Sequence, residues 1–354
     1  MKYFIDKNAK ESAYMQLYNE LKRDIISGEL ALGSRLPSKR LLAGELGLSL
    51  VTVEHAYALL VDEGYAEARE RSGYFASFGG VQRQEKALPL VHSEDSLSDV
   101  PEDFPFSSLA RVMRRVLSDY DRRILIKSPG SGCAELRSAI AAYLERSRGL
   151  TVSPEQIIVG SGAEYLYSMI VQLLGRDTVF AHESPCYSRI LQVYEANGIQ
   201  CMPLPIGEDG IISSALQGCD AGALHVTPFN SYPSLITASA SKRHEYAAWA
   251  VEREAYIVED DYDSEFSSVT KYIDTIYSIA PDRVIYLNTF SRTIMPSMRM
   301  AYMVLPEFLL SRWQEKLGFY SCTVPVYEQY VLAEYINSGE LERYINRRRR
   351  KMRK

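Results

Sequence analysis

The sequence lacks the features that would place the chain in a membrane or outside the cell. No apolar stretch approaches the roughly 18 residues that a membrane-spanning helix needs, and the first residues do not resemble a signal peptide. The cysteines are scattered, odd in number and without metal-ligand spacing: Cys133, Cys186, Cys201, Cys219 and Cys322. We therefore expect a cytoplasmic protein with reduced thiols, no bound metal and no membrane contact.

The chain also lacks an excess of positive charge, an internal repeat and any low-complexity tract. Its 40 Lys+Arg and 45 Asp+Glu give a formal net charge of −5, so any contact with nucleic acid must come from local geometry. A content of 46% hydrophobic and 24% charged residues is typical of an ordinary globular protein. At 354 residues the chain exceeds what one hydrophobic core usually organises, which favours two domains.

The first 78 residues have the pattern of a small helical domain that ends in a hairpin. Gly28 suits the end of a first helix, and Ser38 and Ser49 suit the beginnings of two more. The apolar spacing predicts helices over 12–27, 38–46 and 49–64, followed by short strands over 65–68 and 74–77. Helix, helix, tight turn, helix and β-hairpin is the order of a winged helix-turn-helix.

The periodicity disappears from 79 to 105, where the chain is polar and contains Gly79, Gly80, Pro89 and Pro101, as a linker would. Beyond it, helical and strand patterns alternate. Helices are predicted over 134–148, 163–174, 186–197 and 242–254, and strands over 156–159, 178–181, 222–226, 255–258 and 284–287. This alternation predicts an α/β domain with a mainly parallel sheet. The predicted divisions are 1–78, 79–105 and 106–354.

Several short motifs occur in fixed order in the first domain: LPSKRLLA at 36–43, LSLVTV at 48–53, EGY at 63–65 and SGYF at 72–75. On these motifs, residues 12–77 resemble the DNA-binding heads of the GntR family. Ser38 and Arg40 suit a phosphate, because free amides and a guanidinium converge at the start of a helix. Ser49 and Thr52 are placed to reach phosphates or base edges, and Gly73 would allow the wing to approach the minor groove closely.

One residue departs from the GntR pattern. Leu50 stands where the family usually places an arginine, directly after the serine that begins the recognition helix. Residues 1–78 also carry 10 Lys+Arg against 11 Asp+Glu. Because neutralising phosphates with Lys and Arg supplies much of non-specific DNA affinity, we expect weak binding or an altered specificity. The alternative is a helical domain that no longer binds DNA.

A second set of motifs lies between 128 and 310: GCAELR at 132–137, RGL at 148–150, GSGA at 160–163, ESPCY at 183–187, TP at 227–228, EDDYDSEF at 259–266 and TFSRT at 289–293. The segment is similar to the fold-type I aminotransferases, which use pyridoxal 5'-phosphate, and in particular to the MocR/GabR branch that carries a GntR head. The EDDYDSEF string is the most distinctive of these motifs. The resemblance implies an aminotransferase-like α/β fold for the second domain.

The resemblance assigns four residues to the cofactor phosphate. Gly162 and Ala163 join a strand to the beginning of a helix, where free amides can bind phosphate. Ser291 and Arg299 follow the last predicted strand, and Arg299 is suited to a pair of parallel hydrogen bonds with phosphate oxygens. These residues come at the carboxyl ends of strands, where open α/β sheets bind ligands.

The resemblance assigns three further residues to the cofactor ring. Tyr187 corresponds to the aromatic residue that stacks on the pyridine, Asp260 to the carboxylate that keeps the pyridine nitrogen protonated, and Tyr262 to the partner of the ring hydroxyl. Two plainer alternatives remain open. Tyr187 would then serve only packing, and residues 259–263 would form a solvated acidic turn.

Arg292 occupies the position of the family's Schiff-base lysine. A lysine can lose its proton and attack a carbonyl, whereas an arginine stays protonated and is a poor nucleophile. We therefore expect no catalytic residue here, no aminotransferase turnover, and pyridoxal 5'-phosphate held without a covalent bond. A guanidinium at this position is suited to pair with a phosphate or with a ligand carboxylate.

Two further departures agree with a loss of catalysis. Residues 229–235, FNSYPSL, replace a His-Gln-aromatic-Pro-Thr-Gly stretch of the family, and the chain is expected to stop before the family's C-terminal small domain. The favoured interpretation is a MocR-type regulator that binds a double-stranded DNA operator as a homodimer and responds to an unidentified small-molecule effector. The alternatives are a working aminotransferase with an accessory head and a degenerate remnant of such a regulator.

Overall fold

The computed structural model describes residues 3–6, 9, 11–69, 72–77, 104–262, 264–266 and 274–352. The chain forms two compact units, divided between Ser93 and Glu94. Most of the predicted linker at 79–105 lies outside the described residues. Its last two residues do not, and Phe104 is buried in the core of the second unit with its ring 5.5 Å from that of Tyr344. No helix of the described residues is long and apolar enough to cross a membrane.

The first unit has the predicted order of elements: α1 (Ala13–Ser27), α2 (Lys39–Leu46), α3 (Leu50–Asp62), β1 (Ala66–Arg69) and β2 (Gly73–Ala76). The two strands form an antiparallel hairpin. Gly28 ends α1 with φ 82°, a conformation that glycine adopts without strain. Leu17 and Leu21 of α1 pack with Val53 and Leu60 of α3 in one buried cluster, which fixes the recognition helix on the body of the head.

The second unit is built on a seven-stranded sheet in the order β3-β9-β8-β7-β6-β4-β5. Its strands are β3 (Ile157–Gly160), β4 (Phe180–Ser184), β5 (Cys201–Pro205), β6 (Ala223–Val226), β7 (Tyr256–Asp260), β8 (Val284–Thr289) and β9 (Ala301–Val304). Only β9 runs antiparallel to its neighbours, so the predicted mainly parallel sheet is confirmed. The sequence did not predict β5 or β9.

Helices cover both faces of this sheet. They are α4 (Phe106–Tyr120), α5 (Ala134–Arg148), α6 (Ala163–Leu174), α7 (Ser188–Ala196), α8 (Ser213–Gln217), α9 (Ala240–Glu252), α10 (Ile276–Ile279), α11 (Phe290–Thr293), α12 (Leu309–Leu317), α13 (Val326–Asn337) and α14 (Glu340–Met352). Successive strand residues enter opposite cores: Ile257 belongs to one cluster and Val258 to the other. Burial on both faces explains why these strands are continuous apolar runs.

The sheet register aligns three chain segments at one edge. Ala301, at the start of β9, pairs with Gly160, the last residue of β3, and with Thr289, the last residue of β8. The loops that follow β3 and β8 and the residues that precede β9 therefore leave the sheet side by side. The carboxyl ends of β7, β6 and β4 continue the same edge, because these strands run parallel to β8.

Candidate functional site

The predicted phosphate residues lie at the shared edge of the sheet, and two of them, Gly162 and Arg299, approach each other there. Gly162 has φ 103° and begins α6 directly before Ala163. A Cβ atom at Gly162 would lie 2.7 Å from Nη2 of Arg299, so a side chain here would displace the guanidinium, and the positive φ also favours glycine. Ser291 lies one turn after β8, and its hydroxyl oxygen is buried without a hydrogen-bond partner. A guanidinium, the amide end of a twelve-residue helix and an unsatisfied hydroxyl together suit an anion.

Glu164 was not predicted, but it is the principal partner of Arg299. The Arg299 guanidinium donates to the Glu164 carboxylate in the first turn of α6. Arg189 of α7 lies 3.5 Å from the other carboxylate oxygen. Burial raises the pKa of Glu164, but the hydrogen bond from Arg299 prevails and the pKa lies below its usual value. A glutamate in the first turn of a helix was the only sequence signal for this contact.

Asp260 ends β7 and is almost completely buried. Its carboxylate accepts a hydrogen bond from the Tyr167 phenol of α6. Nε2 of His225 lies 3.7 Å from the same carboxylate oxygen, while Nδ1 of His225 is 2.6 Å from the hydroxyl of Tyr194. Burial raises the pKa of the Tyr167 hydroxyl well above its ordinary value, so this group remains a donor. The carboxylate is thereby held in one orientation.

The aromatic residues of the predicted site are partly exposed. Tyr187 is 41% exposed, and its ring centroid lies 6.1 Å from that of Tyr232. Tyr232 belongs to the segment 229–235, whose sequence differs from that of the family. Tyr262 is 39% exposed, and the guanidinium carbon of Arg292 lies 5.8 Å from its ring centroid. A cation at this distance from an aromatic face is attracted by the ring quadrupole. The structure thus joins Arg292 to one predicted ring residue.

The predicted residues do not all touch one another. Gly162 approaches Arg299, whereas Asp260 is bonded to Tyr167, a residue outside the predicted set. Within the described part of the chain, neither Ser291 nor Tyr187 makes a hydrogen bond or a ring contact with another predicted residue. What unites them is their place at the carboxyl edge of the sheet.

The EDDYDSEF string is not a solvated turn, so that alternative is wrong for its described residues. The side chains of Glu259, Asp260, Asp261 and Glu265 are buried, and Asp263 lies outside the described residues. Asp261 accepts from Arg148 at 2.6 Å and from the Tyr286 hydroxyl at 2.5 Å. The string therefore fixes the strand ends to the body of the unit.

Two glutamates of the string have strongly shifted acidities. Glu259 accepts from the backbone amides of Ile276 and Tyr277 at 2.9 and 2.8 Å, and burial raises its pKa to about 8. Glu265 accepts from the Asn288 side chain at 2.8 Å, and burial raises its pKa to about 7. These carboxyl groups face the interior rather than the ligand edge, so their role is structural.

Glu183, at the end of β4, holds the segment that departs from the family pattern. Its carboxylate accepts from the Thr227 amide at 3.1 Å and from the Ser231 hydroxyl at 2.7 Å. Burial raises the pKa of Glu183 to about 7. The segment 229–235 is therefore anchored to the sheet although its sequence differs from the family stretch.

In the first unit, the predicted DNA-binding residues lie on or beside α2, α3 and the hairpin. Ser38 and Ser49 begin their helices by accepting from the amides of Leu41 and Thr52, as predicted. Arg40 is exposed at the start of α2. Gly73 has φ 106° and opens β2, where a Cβ would lie 3.3 Å from Nε of Arg35.

The family of this protein follows from these two units. A winged helix-turn-helix joined to an aminotransferase-like sheet defines a DNA-binding regulator with an aminotransferase fold. Residues 13–75 match the family described as bacterial regulatory proteins, gntR family, and residues 102–354 match aminotransferase class I and II. The chain belongs to the aminotransferase class I and II family in its larger unit and, as a whole, to the MocR-type HTH transcriptional regulators.

Relatives of this architecture match nearly the whole chain. The HTH-type transcriptional regulator YdeL of Bacillus subtilis (strain 168) is 33% identical over 365 residues, which cover 99% of this chain and 79% of the relative. The pyridoxine biosynthesis transcriptional regulator PdxR of Corynebacterium glutamicum is 32% identical over 343 residues, 95% of this chain and 75% of its own.

Solved structures agree on the fold of the second unit. LysN, an α-aminoadipate aminotransferase from Thermus thermophilus, has a TM-score of 0.63 at 25% identity, with 71% of this chain and 65% of that chain covered. An archaeal alanine:glyoxylate aminotransferase has a TM-score of 0.63 at 24% identity, with 69% and 63% covered. The chain spans less than two thirds of either enzyme.

Proposed function

We propose that this protein is a cytoplasmic transcription regulator that binds a double-stranded DNA operator as a homodimer and senses a small anionic ligand without catalysing its conversion. The DNA-binding head comprises residues 1–78, the linker 79–105 and the ligand-sensing domain 106–354. Ser38, Arg40, Ser49, Thr52 and Gly73 face the DNA in this proposal. The ligand is of the pyridoxal 5'-phosphate class, held by Gly162, Ala163, Tyr187, Asp260, Tyr262, Ser291 and Arg299.

The observation that carries the absence of catalysis is the guanidinium of Arg292. It follows β8 at the ligand edge and lies over the Tyr262 ring. An arginine keeps its proton at any physiological pH and does not attack a carbonyl, so it supplies neither a covalent link nor a proton shuttle. Lys242 is the buried lysine among the described residues of this unit, and it is engaged elsewhere: its Nζ donates to Ser213 and Glu245 at 2.9 and 2.7 Å.

The residues present suit the phosphate and the ring of such a ligand. The unsatisfied Ser291 hydroxyl and the Gly162–Arg299 approach support a phosphate site, and the oriented Asp260 carboxylate supports a partner for a protonated pyridine nitrogen. Pyridoxal phosphate, when bound, supplies an electron-withdrawing ring and a reactive aldehyde. The residues of this chain bind and orient that group, and Arg292 adds a positive charge beside it. The relative PdxR is named for pyridoxine biosynthesis, which supports the same ligand class.

The exposed face of α4 supports a homodimer. Phe106, Met113 and Leu117 are 64%, 37% and 52% exposed and recur along one side of the helix, while Val112 and Val116 are buried on the other. An apolar stripe of this length on a surface helix marks an interaction site. Two copies joined in this way would present two heads to two half-sites of an operator.

The test of the ligand site uses pyridoxamine 5'-phosphate, which carries the phosphate and ring but no aldehyde. Calorimetric titration of the full chain should show saturable binding. Arg299→Met should weaken it about tenfold or more, because a charge-assisted hydrogen bond is lost. The matched change Arg253→Met removes a guanidinium that donates to the Gln217 carbonyl and should leave binding intact. Equal affinity of Arg299→Met and the unaltered chain would contradict the proposed phosphate site.

A further inference from the structure

The recognition helix α3 presents two adjacent apolar side chains to solvent. Leu50 and Val51, in its first turn, are 42% and 58% exposed. By contrast, the residues of the helix's inner face are fully buried: Val53, Ala56 and Leu60. The exposed pair therefore contributes little to the core of the head, and its packing does not explain why the residues are apolar.

The polar side chains around this pair are already engaged within the head. The hydroxyls of Ser49 and Thr52 lie 2.8 Å apart, and the Ser49 hydroxyl also accepts from the Thr52 amide at 3.1 Å. Glu54, one turn further, accepts from Lys39 of α2 at 2.7 Å. Between these engaged groups, the side chains at positions 50 and 51 offer methyl groups rather than hydrogen-bonding groups.

The surroundings of the pair suit the negatively charged edges of a DNA groove. Arg35 lies beside the hairpin residue Gly73, and Arg40 is exposed at the start of α2, so cations stand on the elements that flank α3. In this class of fold, the first residues of the recognition helix contact base edges in the major groove. Among those edges, the C5 methyl group of thymine is the group that apolar side chains read.

We propose that Leu50 and Val51 read thymine methyl groups, so that each operator half-site carries thymines opposite the beginning of α3. This inference rests on the proposed DNA binding of the head and adds the base that the helix recognises. It also gives a function to the leucine that replaces an arginine. An arginine at that place suits guanine, whose O6 and N7 accept two hydrogen bonds, whereas leucine offers only apolar contact.

The test begins with a random double-stranded DNA library, from which the purified full-length chain selects sequences at two salt concentrations. The strongest sequence is then remade with single thymines replaced by deoxyuridine, which removes only the methyl group. Specific positions should lose about fourfold in affinity per methyl, the effect of exposing one buried carbon. In the Val51→Ala variant, the deoxyuridine at the position that faces residue 51 should cause no additional loss of affinity.

A matched control and a gain of specificity accompany this experiment. Leu32 is 64% exposed in the turn before α2, and Leu32→Ala should keep both the affinity and the sensitivity to deoxyuridine. Leu50→Arg should shift the selected base from thymine towards guanine.

Two outcomes would overturn the inference in distinguishable ways. In the first outcome, the chain selects a fixed sequence, but no deoxyuridine replacement lowers its affinity, or each replacement lowers the affinity of Leu50→Ala and Val51→Ala as much as that of the unaltered chain. DNA binding then stands, and the proposed contact with thymine methyl groups is wrong. Selection of no sequence at either salt concentration removes the proposed operator binding and the inference with it.

Discussion

The two units each contain a close ion pair, but the two pairs differ in burial. In the head, Lys39 and Glu54 form an ion pair whose side chains are 30% and 44% exposed. In the aminotransferase-like unit, the side chains of Arg148 and Asp261 are 12% and 0% exposed. Exposed pairs contribute little to stability, whereas removing one partner of a buried pair leaves an unpaired charge in the interior. We therefore expect a change at Lys39 or Glu54 to cost little stability and a change at Arg148 or Asp261 to cost much more.

Among the departures from the family patterns, Leu50 in the head and Arg292 in the second unit differ in chemistry. In our proposal Leu50 replaces a cation with an apolar side chain in the exposed first turn of α3, and Arg292 replaces a neutralisable amine with a permanent cation beside Tyr262. Behind the second departure, Asp260 accepts from Tyr167 and Asp261 accepts from Arg148, and Nε2 of His225 and Oδ1 of Asp261 are buried without a hydrogen-bond partner. A preserved scaffold with an altered reactive group is what a ligand sensor derived from a catalyst requires.

The largest effect is expected from breaking the buried pair. Arg148→Met should lower the free energy of unfolding of the second unit by about 3–5 kcal/mol, because Asp261 is left buried without its cation. The chain has two tryptophans, Trp249 and Trp313, and both are buried in this unit. Urea unfolding followed by tryptophan fluorescence therefore reports on it alone. A loss below about 1 kcal/mol would show that burial does not distinguish the two units.

The exposed pair of the head is the matched control for this change. Lys39→Met removes one partner of the pair with Glu54 and should alter stability by no more than about 1 kcal/mol. Amide hydrogen exchange in α2 and α3 measures this effect within the full chain. A loss of stability as large as that caused by Arg148→Met would show that the exposed and the buried ion pair do not differ in their contribution.

A smaller effect is expected on the pH dependence of the second unit. The pKa of Glu259 is about 8 in the folded chain and near 4.5 when unfolded, so the folded state holds the extra proton between these values. The stability that this proton uptake gives the folded state is fully present below pH 4.5 and is lost as the pH rises towards 8. Glu259→Gln should remove a slope of up to about 1.4 kcal/mol per pH unit from the unfolding free energy.

The change in the pH dependence of the unfolding free energy distinguishes titration of Glu259 from a general loss of packing. Unfolding in urea at a series of pH values between those limits measures it. The matched variant Glu307→Gln changes an exposed carboxylate and should keep the slope of the unaltered chain. A Glu259→Gln chain with the unaltered slope would mean that Glu259 does not take up a proton in the folded state.

The sequence predicted the local features of the fold better than the long-range ones. Helices α5 and α6 have the predicted bounds, because each follows a distinct strand or turn signal and has a continuous apolar face. Strand β5 contains Pro203 and Pro205, which only an edge strand tolerates. Because proline lowers the β-propensity of the segment, the sequence did not predict this strand. Strand β9 is no shorter than β3 and β6, which were predicted, but no helix longer than four residues separates it from β8, so the alternation of strands and helices did not indicate it.

The same division applies to the candidate site. Asp260 and Arg299 were predicted from the family resemblance, whereas Tyr167, His225 and Glu164 lie far from them in sequence and carry no motif of their own. Tyr167, for example, is 93 residues from the carboxylate it contacts. Only the folded sheet brings such pairs together. The burial of the acidic string likewise depends on Arg148, which no local pattern links to Asp261.

The central claim is that a guanidinium has replaced the reactive amine of an aminotransferase-like site, and covalent trapping tests it most directly. The full chain and its Arg292→Lys variant are mixed with pyridoxal 5'-phosphate, reduced with borohydride and weighed by intact mass spectrometry, with peptide mapping of any adduct. The account predicts no adduct at the ligand edge in the unaltered chain and a single adduct on residue 292 of the variant. A stoichiometric adduct on a lysine of the unaltered chain, together with conversion of amino acids, would contradict it.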